Sequence, residues 1–246
     1  MSGFDDSTLW RISAYERLRA GGAAGFDAEG STLLPTTLLA DLRRLQGGAA
    51  AGDVLEVVAA CLRHREPALL NLALGECVWP LTLFPGQQLY HSPRDASALV
   101  ASSGLQTLRL IEAERPGLRP PGHPMHERIA APDKYRPLAP LLWTLALHGP
   151  RATLLAEIGG RAAYRLASGH AEDRALAPGA LAPEVTLLHQ RAASLREIAR
   201  WPGLSVERAS RLLNALYLTD ALMVTRSHPS ARKAPLDWRA LFGRGR

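Results

Sequence analysis

The chain has 246 residues, of which 47% are apolar and 21% charged, enough core-forming material to fold without metal or disulfide staples. Its net charge of +6 is unevenly placed: residues 1–184 carry 18 basic against 19 acidic side chains, and residues 185–246 carry 11 against 4. That split excludes a uniformly basic coating protein and points to a local basic module near the C-terminal end.

Leucine and alanine supply 83 residues, valine and isoleucine only 13, so the composition leans towards helix. Lys134 and Lys233 are the only basic residues that are not arginine. An arginine excess spread over the whole chain reads as compositional bias before it reads as phosphate recognition. Two cysteines, Cys61 and Cys77, are too few for a disulfide scaffold. The first residues are polar and acidic rather than leader-like, and the longest apolar stretch, near 138–147, is broken by Pro140. A cytoplasmic protein without membrane insertion is expected.

In chain order, the Gly/Ala stretches 20–30 and 47–52 read as loops. Between them, Pro35–Gln46 shows Leu38, Leu39, Leu42 and Leu45 at helical spacing, with Pro35 near the start. Asp53–Arg65 predicts a second helix, Asp53 its N-cap and Val54, Leu55, Val58, Ala59 and Leu62 its apolar stripe. Ala68–Leu74, Cys77–Phe84 and Leu105–Ile111 are short apolar runs bounded by Gly and Pro and predict strands. Residues 1–113 thus read as a small α+β domain. The segment 114–137 holds Pro116, Pro120, Pro121, Pro124, Pro132 and Pro137, and Pro140 follows closely; proline on this scale predicts a linker. Beyond it, Leu138–His148 predicts a helix ending at Gly149-Pro150. Thr153–Ile158 and Arg161–Ala167, joined by Gly159-Gly160, predict a β-hairpin with Leu155 facing Tyr164. Residues 168–183 read as loop.

The segment SLREIARWPGLSVERASRLLNALYLTDALMVT (194–225) carries the strongest local pattern. Ser194 and Glu197 stand at capping-box spacing, so a helix begins at Leu195. Trp201-Pro202-Gly203 ends it, and Ser205 caps a second helix running to about Tyr217. Ala199 and Gly203 fit a helix-turn-helix, and Leu222–Thr225 follows as a strand, as in a winged helix. On DNA the second helix would present Arg208, Ser210, Arg211 and Asn214 to bases or phosphates, with Arg226 and the tail beyond 231 (Arg232, Lys233, Arg239, Arg244, Arg246) tracking the backbone. On a protein partner, the apolar seam with Leu155, Tyr164 and Trp201 would be the docking surface.

The order of apolar helix, Gly-turn hairpin (TLLAEIGGRAAYRLASG) and the 194–224 segment resembles the PATAN-type domain of bacterial signalling proteins, over roughly residues 138–226. That resemblance implies a module acting through protein contacts in motility or pattern control. Residues 194–214 alone also resemble the helix-turn-helix of lactose-repressor-type regulators, which implies DNA binding.

Catalytic and metal chemistry finds little footing. His123 and His126, with Glu127 adjacent, sit on a Pro-rich loop without helical presentation or further ligands. Cys61 lies on an amphipathic helix as a small hydrophobe. None of the GG pairs carries the Walker or Rossmann spacing. The sequence therefore predicts an α+β, helix-rich protein: an N-terminal helix–strand unit joined to a helical module with a hairpin and a winged-helix-like end. It is expected to act, without cofactor, metal or catalysis, as a regulatory or signalling adaptor whose partner is another signalling or regulatory protein. DNA-binding transcriptional regulation is the alternative.

Overall fold

A computed structural model describes residues 9–20, 34–47, 52–93, 104–125, 127–167, 177 and 179–231. The fold is α+β. Strand β1 (Trp10–Arg11) leads into helix α1 (Ile12–Ala20), and helix α2 (Thr36–Gln46) follows. Helix α3 (Val54–His64) starts at Asp53 as the sequence predicts: the Asp53 carboxylate accepts from the backbone N–H of Leu55 at 2.9 Å and of Glu56 at 3.3 Å, satisfying donors that a helix start leaves open. Every residue of α3 from Val54 to Cys61 is buried. A helix covered all round belongs at the centre of a core rather than on its surface.

Strands β2 (Ala68–Leu74) and β3 (Cys77–Phe84) form an antiparallel hairpin in which Leu70 faces Leu81 and Leu72 faces Trp79. β3 also pairs with β1 through Val78 and Cys77, and with strand β4 (Leu89–His91) through Thr82 to Phe84. Pro80 falls between those two stretches, where that side of β3 has no partner for an N–H to serve. Strand β5 (Arg109–Glu114) flanks β2 with a register shift at Asn71/Leu72, and strand β6 (Tyr135–Pro137) flanks β4, giving the order β5-β2-β3-β4-β6. The predicted strand at 105–111 therefore lies later: residues 104–107 form a 3-10 turn and pairing begins at Arg109.

The segment expected to be a linker is part of this sheet. β6 lies within 114–137, Leu138 N–H donates to the Gln88 carbonyl at 2.9 Å, and Arg119 bridges to Ile129. The Tyr135 hydroxyl donates to the Arg119 carbonyl at 2.5 Å and accepts from Ala130 N–H at 2.9 Å. Prolines suit an edge strand and its loop, where donors are not required.

Helix α4 (Leu138–His148) is apolar on nearly every side and packs along helix α7 (Val206–Leu218). Between them lie strand β7 (Ala163–Leu166), helix α5 (Ala182–Gln190), strand β8 (Ala193–Ser194) and the short helix α6 (Leu195–Ile198); strand β9 (Leu222–Thr225) and a 3-10 turn at Pro229–Ala231 follow α7. The smaller sheet has the order β8-β7-β9, antiparallel throughout, with Tyr164 opposite both Ala193 and Val224. The predicted hairpin is not formed. Residues 153–158 make turns, because side chains take the backbone groups that a ladder would need: Arg151 donates to the carbonyls of Thr153 (2.9 Å) and Leu154, and Asn214 binds Thr153 and Leu155. β7 instead pairs with strands from either side of the helix-turn-helix.

The buried apolar side chains form one continuous cluster from Leu34 to Ala221. Its polar seam is compact. The Arg151 guanidinium pairs with Asp53 and, at 2.8 Å, with Glu56, whose carboxylate also accepts from Ala156 N–H at 2.8 Å. Arg63 pairs with Glu157, to which the Tyr217 hydroxyl also donates. The core thus crosses the predicted domain boundary without a break.

Candidate functional site

Both caps of the helix-turn-helix form as the sequence predicts. Ser194 Oγ accepts from Glu197 N–H at 3.4 Å, while Ser194 N–H donates to the Glu197 carboxylate at 2.7 Å. The Ser194 backbone N–H, aided by the Ser194 hydroxyl and opposed by partial burial, holds the Glu197 carboxyl below the usual range. Helix α6 is a single turn, Gly203 takes a φ of +74° in the connecting turn, and Ser205 Oγ accepts from Arg208 N–H at 3.1 Å.

Of the four residues of α7 expected to read DNA, three turn inward. Arg208 is exposed and donates to the Gly203 carbonyl at 2.6 Å. Ser210 is buried and donates to the Val206 carbonyl at 2.8 Å. Arg211 points along the C-terminal end of α4, donating to the carbonyls of Ala146 (3.4 Å), Leu147 (3.1 Å) and Gly149 (2.7 Å), and pairs with Glu207 at 2.9 Å. These carbonyls are among those that a helix end leaves unbonded. Gly149 belongs to the same arrangement, since a Cβ there would stand 2.3 Å from the Leu145 carbonyl oxygen. Asn214 is 0% exposed; its Oδ1 accepts from Leu155 N–H and its Nδ2 donates to the Thr153 carbonyl, each at 2.9 Å. Ser210, Arg211 and Asn214 are therefore structural in this conformation: Ser210 bonds back within α7, Arg211 holds the end of α4 and Asn214 holds residues 153 and 155. Arg226 is exposed yet tethered, donating to the carbonyls of Glu157 (2.9 Å) and Gly159 (3.0 Å).

The expected docking seam is likewise interior. Leu155 and Tyr164 are fully buried, and Trp201 is 8% exposed beneath the Arg191 guanidinium, 5.7 Å from its ring centre. The Tyr164 hydroxyl donates to the Ile158 carbonyl at 2.6 Å, and burial raises its pKa. These side chains build the module's core, so another protein cannot reach them without unfolding it. The basic tail beyond residue 231, the Gly/Ala loops and His126 lie outside the described residues.

Sequence reasoning missed a cleft of about 910 Å³ on the larger sheet, between the end of α3, the β3–β4 turn and the 114–128 loop. Its lining combines Leu69, Leu118 and the prolines Pro67, Pro116 and Pro120 with Arg65, Arg115, Arg119, Arg128 and His123, against one carboxylate, Glu114. Arg65 ends α3 in a left-handed conformation at φ +54°, which turns the chain towards β2. The 114–128 loop is fixed by Arg119 N–H on the Arg128 carbonyl at 2.9 Å and by the Tyr135 hydroxyl, while His123 Nδ1 accepts from Met125 N–H at 3.2 Å. The sequence signal was present in Arg115-Pro116 and Arg119-Pro120, but the prolines read as linker and hid the arginines beside them.

Among the described residues, no group of three or more His, Cys, Asp and Glu converges as a metal site, and no helix is long and apolar enough to cross a membrane. No family model, no curated protein and no solved structure matches the chain.

Proposed function

We propose that the protein is a non-enzymatic regulatory or signalling adaptor of the bacterial cytoplasm, related in its C-terminal module to the PATAN-type domain and acting on another signalling protein. The observation that carries this reading is the inward engagement of α7. A helix that reads the major groove needs its polar face free over about its first two turns. Here Arg211 and Asn214 are held by α4 and the 153–155 turn, and only Val206, Glu207 and Arg208 remain exposed at the start. A carboxylate stands among those three and opposes phosphate. The surface around the turn mixes Val206, 61% exposed, with the exposed arginines Arg196, Arg200 and Arg208. Apolar contact beside arginine suits a protein interface.

DNA binding remains the second reading, supported by those same arginines, which could contact phosphates without reading bases. One experiment separates the two. The purified full chain is used for affinity capture from nuclease-treated bacterial lysate and, in parallel, for salt-titrated binding to duplex DNA. A stoichiometric protein partner that survives nuclease treatment, with only weak DNA binding that ignores sequence, is expected. Sequence-specific duplex binding that falls steeply with salt and more than tenfold in Arg208→Ala overturns the adaptor reading.

A further inference from the structure

The cleft on the larger sheet lies outside the winged-helix-like module, and nothing in the packing of the core requires its charge. Arg65 leaves the helix end exposed, and among the described residues neither it nor Arg119 is paired with a carboxylate. Arg115 and Arg128 have interactions of their own, yet they line the same cleft. Glu66 and Glu127 neighbour these arginines in sequence but do not line the cleft. The result is a concave surface that carries four arginines beside Leu69 and Leu118. Met125 stands on its rim at 53% exposure.

That combination selects among ligands. Single-stranded nucleic acid is held by stacking bases on aromatic faces; the lining has no Tyr or Trp, and its Phe84 is 1% exposed and packs on Tyr135 with ring centres 5.9 Å apart. A sugar–phosphate backbone would leave the aliphatic lining unused. A lipid surface meets protruding apolar side chains rather than a recess. A polypeptide satisfies both features: carboxylates reach the arginine forks in paired hydrogen bonds, and intervening aliphatic side chains cover the aliphatic lining. The prolines keep that lining in extended loops with few backbone donors to satisfy.

We propose that this cleft is a docking site for an extended acidic segment of a partner protein, with carboxylates on Arg65 and Arg119 and aliphatic side chains against Leu69 and Leu118. This rests on the adaptor reading and adds, beside the surface around the helix-turn-helix, a second docking site with a partner segment of stated chemistry. The test is to pan a phage-displayed library of random peptides against the full chain, then measure the enriched peptides by fluorescence anisotropy. Enriched sequences are expected to interleave Asp or Glu with aliphatic residues. Binding is expected to fall at least tenfold in Arg65→Glu/Arg119→Glu, at least fivefold when the peptide's carboxylates become amides, and to be unchanged in Arg161→Glu, an exposed arginine outside the cleft. Both arginines are on the surface, and an unchanged unfolding midpoint shows that the double variant is folded. Neutral or basic enriched sequences, no enrichment, or peptides that bind the double variant equally well overturn the inference. If a captured partner still binds Arg65→Glu/Arg119→Glu and is lost instead in Arg208→Glu, the cleft assignment falls while the adaptor reading stands. If no protein is captured at all, the adaptor reading itself falls.

Discussion

Asn214 gives the sharpest opposition between a surface role and an interior one. If it reads bases, Asn214→Ala lowers DNA affinity and leaves stability alone. If it is the latch seen here, the reverse holds, and the size of the effect follows from its two bonds. Leu155 is fully buried, so its N–H, now 2.9 Å from Asn214 Oδ1, cannot turn to water once the amide is gone. An orphaned buried donor costs about 1–3 kcal/mol. The Thr153 carbonyl belongs to an exposed residue and can rehydrate, so its loss adds little. The void left by the amide adds roughly 1 kcal/mol. Asn214→Ala should therefore destabilise by about 2–4 kcal/mol, read as a lowered urea midpoint at unchanged m-value. Asn214→Asp sharpens the test. Its second oxygen would face the Thr153 carbonyl, and burial would raise its pKa above the ordinary carboxylate value. The folded state would then bind the proton more tightly, so the variant's deficit is small below about pH 4 and grows as pH rises through the folded value. An Asn214→Ala midpoint within about 0.5 kcal/mol of the parent, or an Asn214→Asp deficit independent of pH, refutes the reasoning.

Arg151→Met leaves the buried Glu56 carboxylate facing only Ala156 N–H and should cost about 3–5 kcal/mol; adding Glu56→Gln should recover part of that in a denaturation cycle, and strict additivity would refute the coupling. Burial pushes the Cys61 thiol up to about 12, whereas Cys77 is half-buried, so a disulfide-exchange reagent at pH 8 should titrate one thiol rapidly in the native chain and two in denaturant. Asp41 is held below the usual carboxylate range by its hydrogen bond with His64 at 2.8 Å, assisted by Arg63 and Arg44 and opposed by partial burial. Its contribution is present above about pH 4 and lost as pH falls through the lower folded value, so Asp41→Asn should flatten the acid limb of melting temperature against pH.

What could be read from the sequence was local. Asp53, Ser194 and Ser205 act within their own helix starts, so spacing alone located α3, α6 and α7. Strands β2 and β3 were equally plain as runs, because each is contiguous and bounded by Gly or Pro; their antiparallel pairing is what the structure adds. What failed depended on partners distant in sequence. The turn at 153–155 has the composition of a strand, but its backbone groups are taken by Asn214 and Arg151. Leu155, Tyr164 and Trp201 looked like an open seam because the helices covering them cannot be placed from periodicity. Arg211 was read as a DNA contact because nothing in its neighbourhood announces the carbonyls of α4 more than 60 residues earlier. β4 and β6, three residues each, are too short to show any pattern and exist only as partners of one another and of β3.

The same distinction governs the charge that set residues 185–246 apart. That fragment contains both helices of the helix-turn-helix and most of the positive balance, so on sequence grounds it is the natural piece to isolate. It lacks β7, however, which is the central strand joining β8 to β9. It also lacks α4, whose carbonyls receive Arg211 and whose apolar side chains cover α7. β7 precedes the whole helix-turn-helix unit, so cutting at residue 185 removes the middle of the sheet and leaves β8 and β9 without the strand that joins them. Alone, the fragment would expose Leu212, Leu213 and Leu216, all fully buried in the intact chain, and a unit that cannot bury its apolar face does not meet the entropy cost of ordering. It should give a weak helical signal in circular dichroism and melt without a cooperative transition, while the full chain melts cooperatively. A cooperative unfolding transition in the isolated 185–246 fragment would show that β7 and α4 are dispensable, and would return the helix-turn-helix to the standing of an independent module.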